Sequence, residues 1–189
     1  MNPAVDPMLG MVYLGVGNPV PQWGGEVRSG DNLFTDSIVA LDIHTGKLIW
    51  HFQGVHHDIW DHDFGTPLIL FDAMIQDRER RGLAAMRTDG YLFLLDRETG
   101  TPLTRVIEEP VPNDPTMKMS PTQPFPVGTD AISPRCVERA TGPEGFQLKY
   151  YFDKFGYEPN LLFPCSAARA APMTFSPQTG YPYVVAAAR

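Results

Sequence analysis

The sequence predicts an all-β fold, a partial β-propeller of about three to four blades with long irregular insertions. Its 19 prolines and 17 glycines are spread along the 189 residues, which favours short strands joined by turns over long helices. Turns that contain Thr-Gly also recur beside strand-like runs, at Thr45-Gly46, Thr99-Gly100 and Thr179-Gly180. Hairpins repeated at blade-sized intervals of about 40 to 50 residues, allowing for insertions, are typical of propellers.

A second internal repeat links the two ends of the chain. The stretch from Asp6 to Tyr13 is echoed from Ser176 to Tyr183, with Pro, Gly and Tyr at matching positions. A propeller closes on itself to protect the edges of its sheets, and a chain of this length supplies only part of such a ring. A β-sandwich with long loops is the alternative architecture for so many short strands.

The first half of the chain contains a predicted hairpin. Met11 to Gly17 is a β-rich run that delivers Asn18 to a turn. Asn32 to Asp42 is the next predicted strand, and Lys47 to Phe52 alternates well enough to return beside it. The turn His44-Thr45-Gly46 separates these two runs, so the sequence predicts that they pair.

Three further strands are predicted between residues 67 and 96. Pro67 to Phe71 is a short apolar strand, and the charged segment that follows, through Arg81, is expected to turn in solvent. Gly82 to Arg87 fits a short strand that ends at a turn. Tyr91 to Asp96 is almost entirely apolar, so we expect it to be buried on both faces of its sheet.

The last part of the chain predicts less regular structure. Pro110 to Pro126 is rich in proline, and proline at this density is expected to prevent both helix and ladder formation. Gly142 to Phe163 is rich in aromatic residues without clear periodicity, and we interpret it as an insertion. The chain is therefore predicted to be one partial propeller domain over residues 1–189, in which residues 110–170 are mostly loop.

Composition argues against two further classes of protein. A net charge of -7 and a pI near 5.1 do not suit a nucleic-acid binder, which needs clustered Lys and Arg. No apolar run reaches the roughly 18 to 20 residues that span a bilayer, so no transmembrane helix is expected. The start at Met1 lacks a signal-peptide pattern, so no signal peptide is expected. Cys136 and Cys165 fit either two core thiols or one disulfide.

A dense group of ionisable residues marks the candidate functional site. His56 to Asp63, called here the His/Asp segment, holds three histidines, three aspartates and one tryptophan. Ordinary surface loops draw instead on Gly, Pro, Asn, Asp and Ser, so this composition points to chemistry. The structural alternatives are that the histidines form a polar cap on a loop and that Asp58 bonds backbone amides.

A zinc site is a second interpretation of the His/Asp segment. His57, Asp61 and His62 fall on three of the four positions of the metal-binding pattern of dinuclear zinc hydrolases. Ile59 occupies the position of the second histidine, which removes a ligand from a site whose imidazoles must converge. A zinc-dependent hydrolase is therefore the less favoured enzyme class.

Four stretches together resemble the quinoprotein alcohol and sugar dehydrogenases, eight-bladed β-propellers that bind pyrroloquinoline quinone (PQQ). They are Gly17-Asn18-Pro19, Arg28 to Leu33, Ala40 to Trp50 and His57 to Asp61. The third is similar to the family's tryptophan-docking motif, in which each blade's Trp packs against its neighbour. The likeness covers most of residues 5–126, and family members are much longer, so it implies that the chain is a fragment of one.

The resemblance implies a metal site and a catalytic base. By it, Asn18 is a metal ligand through its side-chain oxygen, and Asp61 is both a metal ligand and the catalytic base beside the quinone. Asp63 matches the additional metal-binding carboxylate of lanthanide-using relatives, although sugar-oxidising relatives also carry an acid there. A hard cation such as Ca²⁺ prefers oxygen ligands and polarises the quinone carbonyl that accepts hydride. The expected cofactors are therefore PQQ and either Ca²⁺ or a lanthanide.

Three residues are expected near the quinone. Trp60 is a candidate cofactor contact, with core packing as the alternative. Relatives usually place a Lys or Arg that contacts the quinone nine residues before the Arg of the Leu-Asp-Arg turn. Counting back from Arg97 gives Thr88, with Arg87 one position off and facing the other way on a strand. The resemblance places the family's metal-binding Glu, adjacent-cysteine disulfide and ring-stacking Trp upstream of this chain.

The function implied by the resemblance is oxidation of an alcohol or sugar hydroxyl in the periplasm, by hydride transfer to PQQ with help from the metal ion. The double His before Asp58 is more similar to the sugar-oxidising branch. The implied partners are a small alcohol or sugar and an electron acceptor, either a cytochrome or a membrane quinone. A non-catalytic propeller scaffold is the alternative, and the isolated chain is expected to be inactive because half of the site is missing.

Overall fold

The computed structural model describes residues 2–128, 132, 147–149, 152–154, 160–162 and 172–185. Within them lie two 3₁₀ turns, Gly25–Val27 and Pro115–Met117, and thirteen strands. The strands are β1 (Ala4–Asp6), β2 (Met11–Gly15), β3 (Ser37–Asp42), β4 (Leu48–Gln53), β5 (Ile69–Ile75), β6 (Arg78–Met86), β7 (Leu92–Asp96), β8 (Val106–Pro110), β9 (Thr122–Pro126), β10 (Gln147–Lys149), β11 (Asn160–Leu162), β12 (Thr174–Ser176) and β13 (Tyr181–Tyr183). Most of the insertion predicted at Gly142 to Phe163 lies outside the described residues, as do Cys136 and Cys165. No helix in the described part of the chain has the length and apolar character needed to cross a membrane.

The first sheet is antiparallel and has the strand order β1-β2-β3-β4. Its register places Tyr13 opposite Ala40, and Ala40 opposite Trp50, so three buried side chains line one face. The predicted hairpin of β3 and β4 is confirmed. The strand that we predicted from Asn32 begins only at β3, because Asn32 and Asp36 have φ values of 59° and 51°, which extended strands do not allow.

The second sheet, with the order β5-β6-β7, corrects the prediction of a solvent turn. The charged segment extends β5 and β6 as a hairpin, and the chain reverses at Gln76 and Asp77, which both have positive φ. Asp72 lies opposite Arg81 across the two strands, and opposite charges at paired positions stabilise a sheet. The run of charge therefore marks a solvent-facing hairpin.

Strand β7 corrects a second expectation. Phe93 and Leu95 are buried, whereas Leu92 and Leu94 are only half-buried. The strand thus has one face packed fully and one packed in part, instead of two buried faces. Phe93 and Leu95 belong to the main hydrophobic core, which the first two sheets share.

Strand β9 lies within the proline-rich segment that the sequence predicted to be irregular. It pairs antiparallel with β8. The hydrogen bond from Val127 N to Arg105 O is 2.8 Å long and continues the register of the two strands. It shows that the odd-numbered residues of β8 and β9 form the backbone hydrogen bonds between the strands. Pro110, Pro124 and Pro126 take the alternate positions, where the nitrogen faces away from the partner strand. The prediction was wrong here because proline at such positions removes no ladder hydrogen bond.

The repeated turns share one geometry. Asp42 and Asp96 each begin a turn, and each accepts hydrogen bonds through Oδ1 from the backbone N–H groups two and three residues later. The glycine that ends each turn, Gly46 or Gly100, donates its N–H to the carbonyl of that aspartate at 2.8 Å and has positive φ. The Thr-Gly repeat therefore predicted a real structural unit.

The second internal repeat also has a structural counterpart. β1 pairs with β2 so that Ala4 lies opposite Tyr13, and β12 pairs with β13 so that Thr174 lies opposite Tyr183. The two hairpins therefore have the same register at both ends of the chain. The sheets follow one another as blades and do not close into a ring over the described residues.

Trp50 joins the first sheet to the second. Its Nε1 donates to Arg97 O at 3.2 Å, and the Tyr13 hydroxyl donates to the same carbonyl at 2.8 Å. The indole covers Gly100 so closely that a Cβ atom there would lie 2.6 Å from it. The Arg97 side chain in turn pairs with Asp6 Oδ2 at 2.8 Å. The expected packing of one blade's tryptophan against the next blade is confirmed for Trp50.

Gly100→Ala is expected to destabilise the fold more than Gly46→Ala. The two glycines end equivalent turns with φ values of 74° and 68°, so each substitution costs about 1–2 kcal/mol for placing a side chain in the left-handed region. A Cβ atom at Gly46 would meet nothing within 4 Å, whereas one at Gly100 would meet Trp50 and cost about 1–3 kcal/mol more. Urea-induced unfolding measures the free energy of unfolding of both variants. Equal losses of stability would contradict the packing of Trp50 on this turn.

Candidate active site

The His/Asp segment follows β4, and its first residue is held by side chains from other strands. Gln123, which is buried in β9, accepts a hydrogen bond from His56 N and donates one to His56 O, both at 2.8 Å. The His56 ring contacts Gln53 through Nδ1 at 2.7 Å and Glu108 through Nε2 at 3.2 Å. His56 therefore fixes the point at which the chain enters the segment.

The loop over residues 18–34 packs against the centre of the segment. His57 Nδ1 lies 2.7 Å from Gly30 O, to which it donates its proton, and Arg28 Nη2 donates to Asp58 O at 2.9 Å. A Cβ atom on Gly25 would lie 3.0 Å from His57 Nε2, so the loop comes too close for any larger residue there. His57 is thus a buried structural residue.

Asp58 is fully buried and joins the segment to Asn18. Its Oδ1 accepts from Trp60 N at 2.8 Å, and its Oδ2 accepts from His62 N at 2.9 Å and from Asn18 Nδ2 at 2.6 Å. The alternative that Asp58 bonds backbone amides is therefore confirmed. Asn18 Nδ2 also lies 3.4 Å from Asp36 Oδ1, so the amide nitrogen faces two carboxylates and the amide oxygen is directed away from them.

Asp61 projects from a left-handed backbone position. Its φ is 69°, a conformation that costs energy for a non-glycine residue and that clusters at functional sites. The flanking N–H groups of Trp60 and His62 are both bonded to Asp58, which holds this conformation in place. Asp61 is half-buried, so its side chain is partly shielded from water and still open to a small molecule.

Asp63 lies beside both Thr88 and the strand end that carries Asn18. The Thr88 hydroxyl donates to Asp63 O at 2.8 Å and lies 3.3 Å from Asp63 Oδ1. A Cβ atom on Gly17 would lie 3.8 Å from Asp63 Oδ2, so the backbone next to Asn18 runs along this carboxylate. The fold therefore brings Asn18, Asp61 and Asp63 into one region.

Negative charge is concentrated in this region. Burial, reinforced by the charges of Asp58 and Asp63, raises the pKa of Asp36 to about 9, and Arg28 opposes this effect. Burial also raises the pKa of Asp58 to about 6, against the hydrogen bonds that Asp58 accepts. At neutral pH the region therefore either retains protons or favours the approach of a cation.

The donor set fits a hard cation in its chemistry. Carboxylate and amide oxygens are the ligands that Ca²⁺ prefers, and Asp36 Oδ2 is buried without a hydrogen-bond partner among the described residues. Within that part of the chain, no three His, Cys, Asp or Glu side chains are grouped closely enough to hold a metal ion. Metal binding by Asn18, Asp61 and Asp63 therefore stays a prediction.

Trp60 is packed inside the protein. Its Nε1 donates to Asp153 O at 2.8 Å, and its ring stacks on His62 with an interplanar angle of 14°. Phe152 meets the indole edge-on, with ring centroids 5.0 Å apart. Core packing, the alternative role for Trp60, is therefore present, and its contact with a cofactor stays a prediction.

Arg87 points into the core, in a different direction from Thr88. It is fully buried, and its Nη2 pairs with Asp89 Oδ2 at 2.8 Å. Its Nη1 donates to Gly54 O and Pro124 O, both at 2.7 Å. Four aromatic rings have centroids within 5.7 Å of the guanidinium carbon: Tyr91, Phe93, Phe125 and Phe152. Arg87 therefore links Gly54, two residues before the His/Asp segment, to β9, and its contact with a quinone stays a prediction.

Two of these interactions were not predicted from the sequence. Arg87 and Asp89 are two residues apart, a spacing that places side chains on the same side of an extended chain, so the pair had a local signal. The burial of Asp36 against Asn18 had none, because Asp36 lies in a turn before β3 and its neighbours come from other parts of the fold.

The comparison with protein families identifies the fold. The model of the family described as "PQQ: Glucose/ethanol/alcohol dehydrogenase, beta-propeller domain" matches residues 2–151. The chain belongs to this dehydrogenase propeller family. The predicted resemblance to quinoprotein dehydrogenases is therefore confirmed, and membership favours an oxidoreductase over a zinc hydrolase.

Curated relatives of this dehydrogenase propeller are much longer than the chain. The glycerol dehydrogenase large subunit of Gluconobacter oxydans (strain 621H) is 39% identical over 132 residues, which are 67% of this chain and 18% of that protein. The putative dehydrogenase XoxF of Paracoccus denitrificans is 32% identical over 183 residues, 95% of this chain and 28% of that protein. The chain thus spans less than a third of the length of these relatives.

Solved structures agree with this assignment. The quinohemoprotein alcohol dehydrogenase from Comamonas testosteroni superposes with a TM-score of 0.62 at 28% identity, over 97% of this chain and 24% of that one. A europium-containing methanol dehydrogenase superposes with a TM-score of 0.62 at 27% identity, over 96% and 28%. The prediction of a partial propeller is confirmed, and the β-sandwich alternative is wrong.

In the metal-free protein, Asp36 is expected to lower stability as the pH rises. Its pKa moves from 3.8 to about 9 on folding, so between these values the folded state keeps a proton that the unfolded state has lost, and raising the pH favours unfolding. Asp36→Asn keeps the shape and removes this titration, so the variant should lose less stability between about pH 5 and about pH 8. Thermal unfolding in the presence of a chelator measures both proteins.

Asp42→Asn is the control for this experiment. Hydrogen bonds from Thr45 lower the pKa of Asp42, so its titration lies below the tested range and its variant should follow the wild-type pH dependence. If Asp36→Asn also followed the wild-type curve, the raised pKa of Asp36 would be contradicted.

Proposed function

We propose that this chain carries part of the active site of a PQQ-dependent dehydrogenase that oxidises an alcohol or sugar hydroxyl. The observation that carries the proposal is the meeting of Asn18 with the carboxylates of the His/Asp segment, through its 2.6 Å bond to Asp58. A scaffold without chemistry needs no such concentration of buried carboxylates, because burying like charges together costs stability. Family membership gives the chemical class.

In this proposal Asn18, Asp61 and Asp63 hold the metal ion. Asn18 offers its amide oxygen, since its nitrogen donates to Asp58 and Asp36. The carboxylates of Asp61 and Asp63 are both half-exposed. The ion is Ca²⁺ or a lanthanide, and the europium-containing methanol dehydrogenase among the structural neighbours supports the second choice. The remaining ligands come from outside the described residues.

Asp61 is proposed as the catalytic base. When bound, PQQ supplies the carbonyl that accepts hydride from the substrate carbon, and the cation beside it makes that carbonyl more electrophilic. Asp61 accepts the proton of the substrate hydroxyl while hydride leaves the carbon that bears it, so the products are a carbonyl compound and a protonated Asp61. Its half-buried position shields the carboxylate from bulk water without closing it off.

The proposed contacts with the quinone differ in kind. Thr88 presents its hydroxyl beside Asp63, which supports the proposed contact with a ligand at the metal. Arg87 is proposed to act on the quinone from within the core, because its guanidinium already bonds Asp89 and two backbone carbonyls. Trp60, packed on His62 and Phe152, would contact the cofactor from a fixed position in the core.

The family supports a proposal for the substrate class and the cellular location. The relatives include dehydrogenases named for glycerol, glucose, and quinate or shikimate, all of which carry hydroxyl groups. We propose a small alcohol or sugar as substrate, a cytochrome or membrane quinone as electron acceptor, and the periplasm as location. The double His before Asp58 favours a sugar. The isolated chain is proposed to be inactive, because part of the site lies elsewhere.

Asp61→Asn in the full-length protein, reconstituted with PQQ and Ca²⁺ or a lanthanide, should lower dye-linked oxidation by at least about 100-fold, since the proton acceptor is lost. Asparagine tolerates positive φ, so the backbone at Asp61, with φ of 69°, should be kept. Asp77→Asn is the matched control, because Asp77 has φ of 59° at an exposed hairpin tip. Equal activity in Asp61→Asn would rule out the proposed base. Failure of the wild-type protein to bind PQQ would favour the alternative of a non-catalytic propeller scaffold.

Asp63→Asn should weaken lanthanide binding more than Ca²⁺ binding. The loss of one unit of ligand charge matters more to a trivalent ion than to a divalent one. Titrating the metal-depleted full-length protein with Tb³⁺ and with Ca²⁺ gives both affinities. Asp31→Asn, on the exposed loop that covers His57, should leave them unchanged. An unaltered ratio of the two affinities in Asp63→Asn would contradict the role of Asp63.

A further inference from the structure

Asp58 has more partners than a turn aspartate needs. A bond from an aspartate oxygen to the backbone N–H two residues later is a common local turn, and Asp58 makes it with Trp60. A turn of this kind requires no other contact. Asp58 also accepts from His62 N and from Asn18 Nδ2, a side chain 40 residues earlier in the chain, so this carboxylate connects two separate parts of the proposed site.

The bond to Asn18 fixes which end of the amide faces the metal region. Asn18 Nδ2 donates to Asp58 Oδ2 at 2.6 Å, a short, charge-assisted contact. A carboxylate accepts and does not donate, so the opposite orientation, with the amide oxygen against Asp58, would place two acceptors together. The amide oxygen is therefore kept for a ligand on the other side.

The bonds to the backbone fix Asp61. The two peptide N–H groups that flank Asp61, those of Trp60 and His62, both point at the Asp58 carboxylate. This arrangement requires the chain to turn tightly at Asp61, whose φ is 69°. Without the carboxylate, two buried N–H groups would lose their hydrogen-bond partner. The energetic cost of the left-handed conformation at Asp61 would then no longer be offset.

We propose that Asp58 is the positioning residue of the metal and catalytic site, which it builds by orienting the Asn18 amide and the Asp61 backbone at the same time. The inference rests on the proposed function, because it assumes that Asn18 and Asp61 bind the metal. Asp58 itself touches neither metal nor substrate in this arrangement, since its oxygens are directed at protein donors.

The test uses metal affinity in the full-length protein, measured by titrating the metal-depleted form with Ca²⁺ and with Tb³⁺ in the absence of substrate. Asp58→Asn should bind both ions about tenfold or more weakly, the usual effect of losing a partner that orients a ligand. Asp6→Asn is the matched control. Asp6 is also buried and also accepts two backbone N–H bonds, from Met8 and Leu9. Its variant should lose stability and keep wild-type affinity.

Asn18→Asp tests the same inference with Asp58 intact. If Asn18 were a ligand that nothing orients, the added negative charge would strengthen metal binding. If Asp58 orients it, the new carboxylate has no N–H to donate and faces a second acceptor, so affinity should fall. The double variant Asn18→Asp/Asp58→Asn exchanges donor and acceptor across the same pair, and it should bind more tightly than Asn18→Asp alone.

The outcomes separate this inference from the proposed function. Wild-type affinity in Asp58→Asn, or tighter binding in Asn18→Asp, would overturn the inference and leave the proposed function standing. If Asp58→Asn fails to fold, Asn18→Asp and the double variant decide alone. Absence of metal binding by the wild-type protein would overturn both.

Discussion

The buried ion pair between Arg87 and Asp89 is the interaction on which the rest of the structure depends. A guanidinium inside a core is tolerated only when its charge is paired and its donors are bonded. Here Asp89 supplies the charge, and the carbonyls of Gly54 and Pro124 accept from Nη1. Those carbonyls belong to the residue that follows β4, two positions before the His/Asp segment, and to β9, so one cation fixes three stretches of chain. Thr88, between the two charged residues, is thereby held beside the proposed metal ligands.

Local repeats made much of the fold predictable. The turns at Asp42 and Asp96 are encoded by residues within five positions of one another, so they were visible in the sequence, and the hairpin of β3 and β4 at the first of them was predicted correctly. The errors came where charge or proline was interpreted as irregularity, in the hairpin of β5 and β6 and in β9. In both, charged side chains or proline nitrogens occupy positions that face away from the partner strand or into solvent. In these two segments the composition indicated exposure to solvent, but it did not indicate whether the strand was paired with a neighbour.

The members of the candidate site were predictable from the resemblance, but their connections were not. Asn18 and Asp61 were identified from motifs that stand 43 residues apart, and no local pattern says how they meet. Their meeting depends on the register of β2, β3 and β4, which sets where the loop from Asn18 and the His/Asp segment leave the sheet. Asp36 is buried by the same closure. Contacts of this kind exist only once distant strands have paired, so local sequence patterns could not predict them.

The carboxylates of the site divide into two kinds, and this division explains how a stable fold carries them. Asp58 directs its oxygens at three protein donors, so its charge is compensated within the fold whether or not a cation is present. Asp36, with its pKa raised to about 9, avoids the same cost by keeping its proton at neutral pH. Asp61 and Asp63 lie half-exposed, where water and a cation compensate their charge from outside. A bound cation would lower the pKa of every carboxylate near it, so metal binding and proton release are coupled here. The fold thus compensates the carboxylates that shape the site and presents the two that we propose to react or to bind metal.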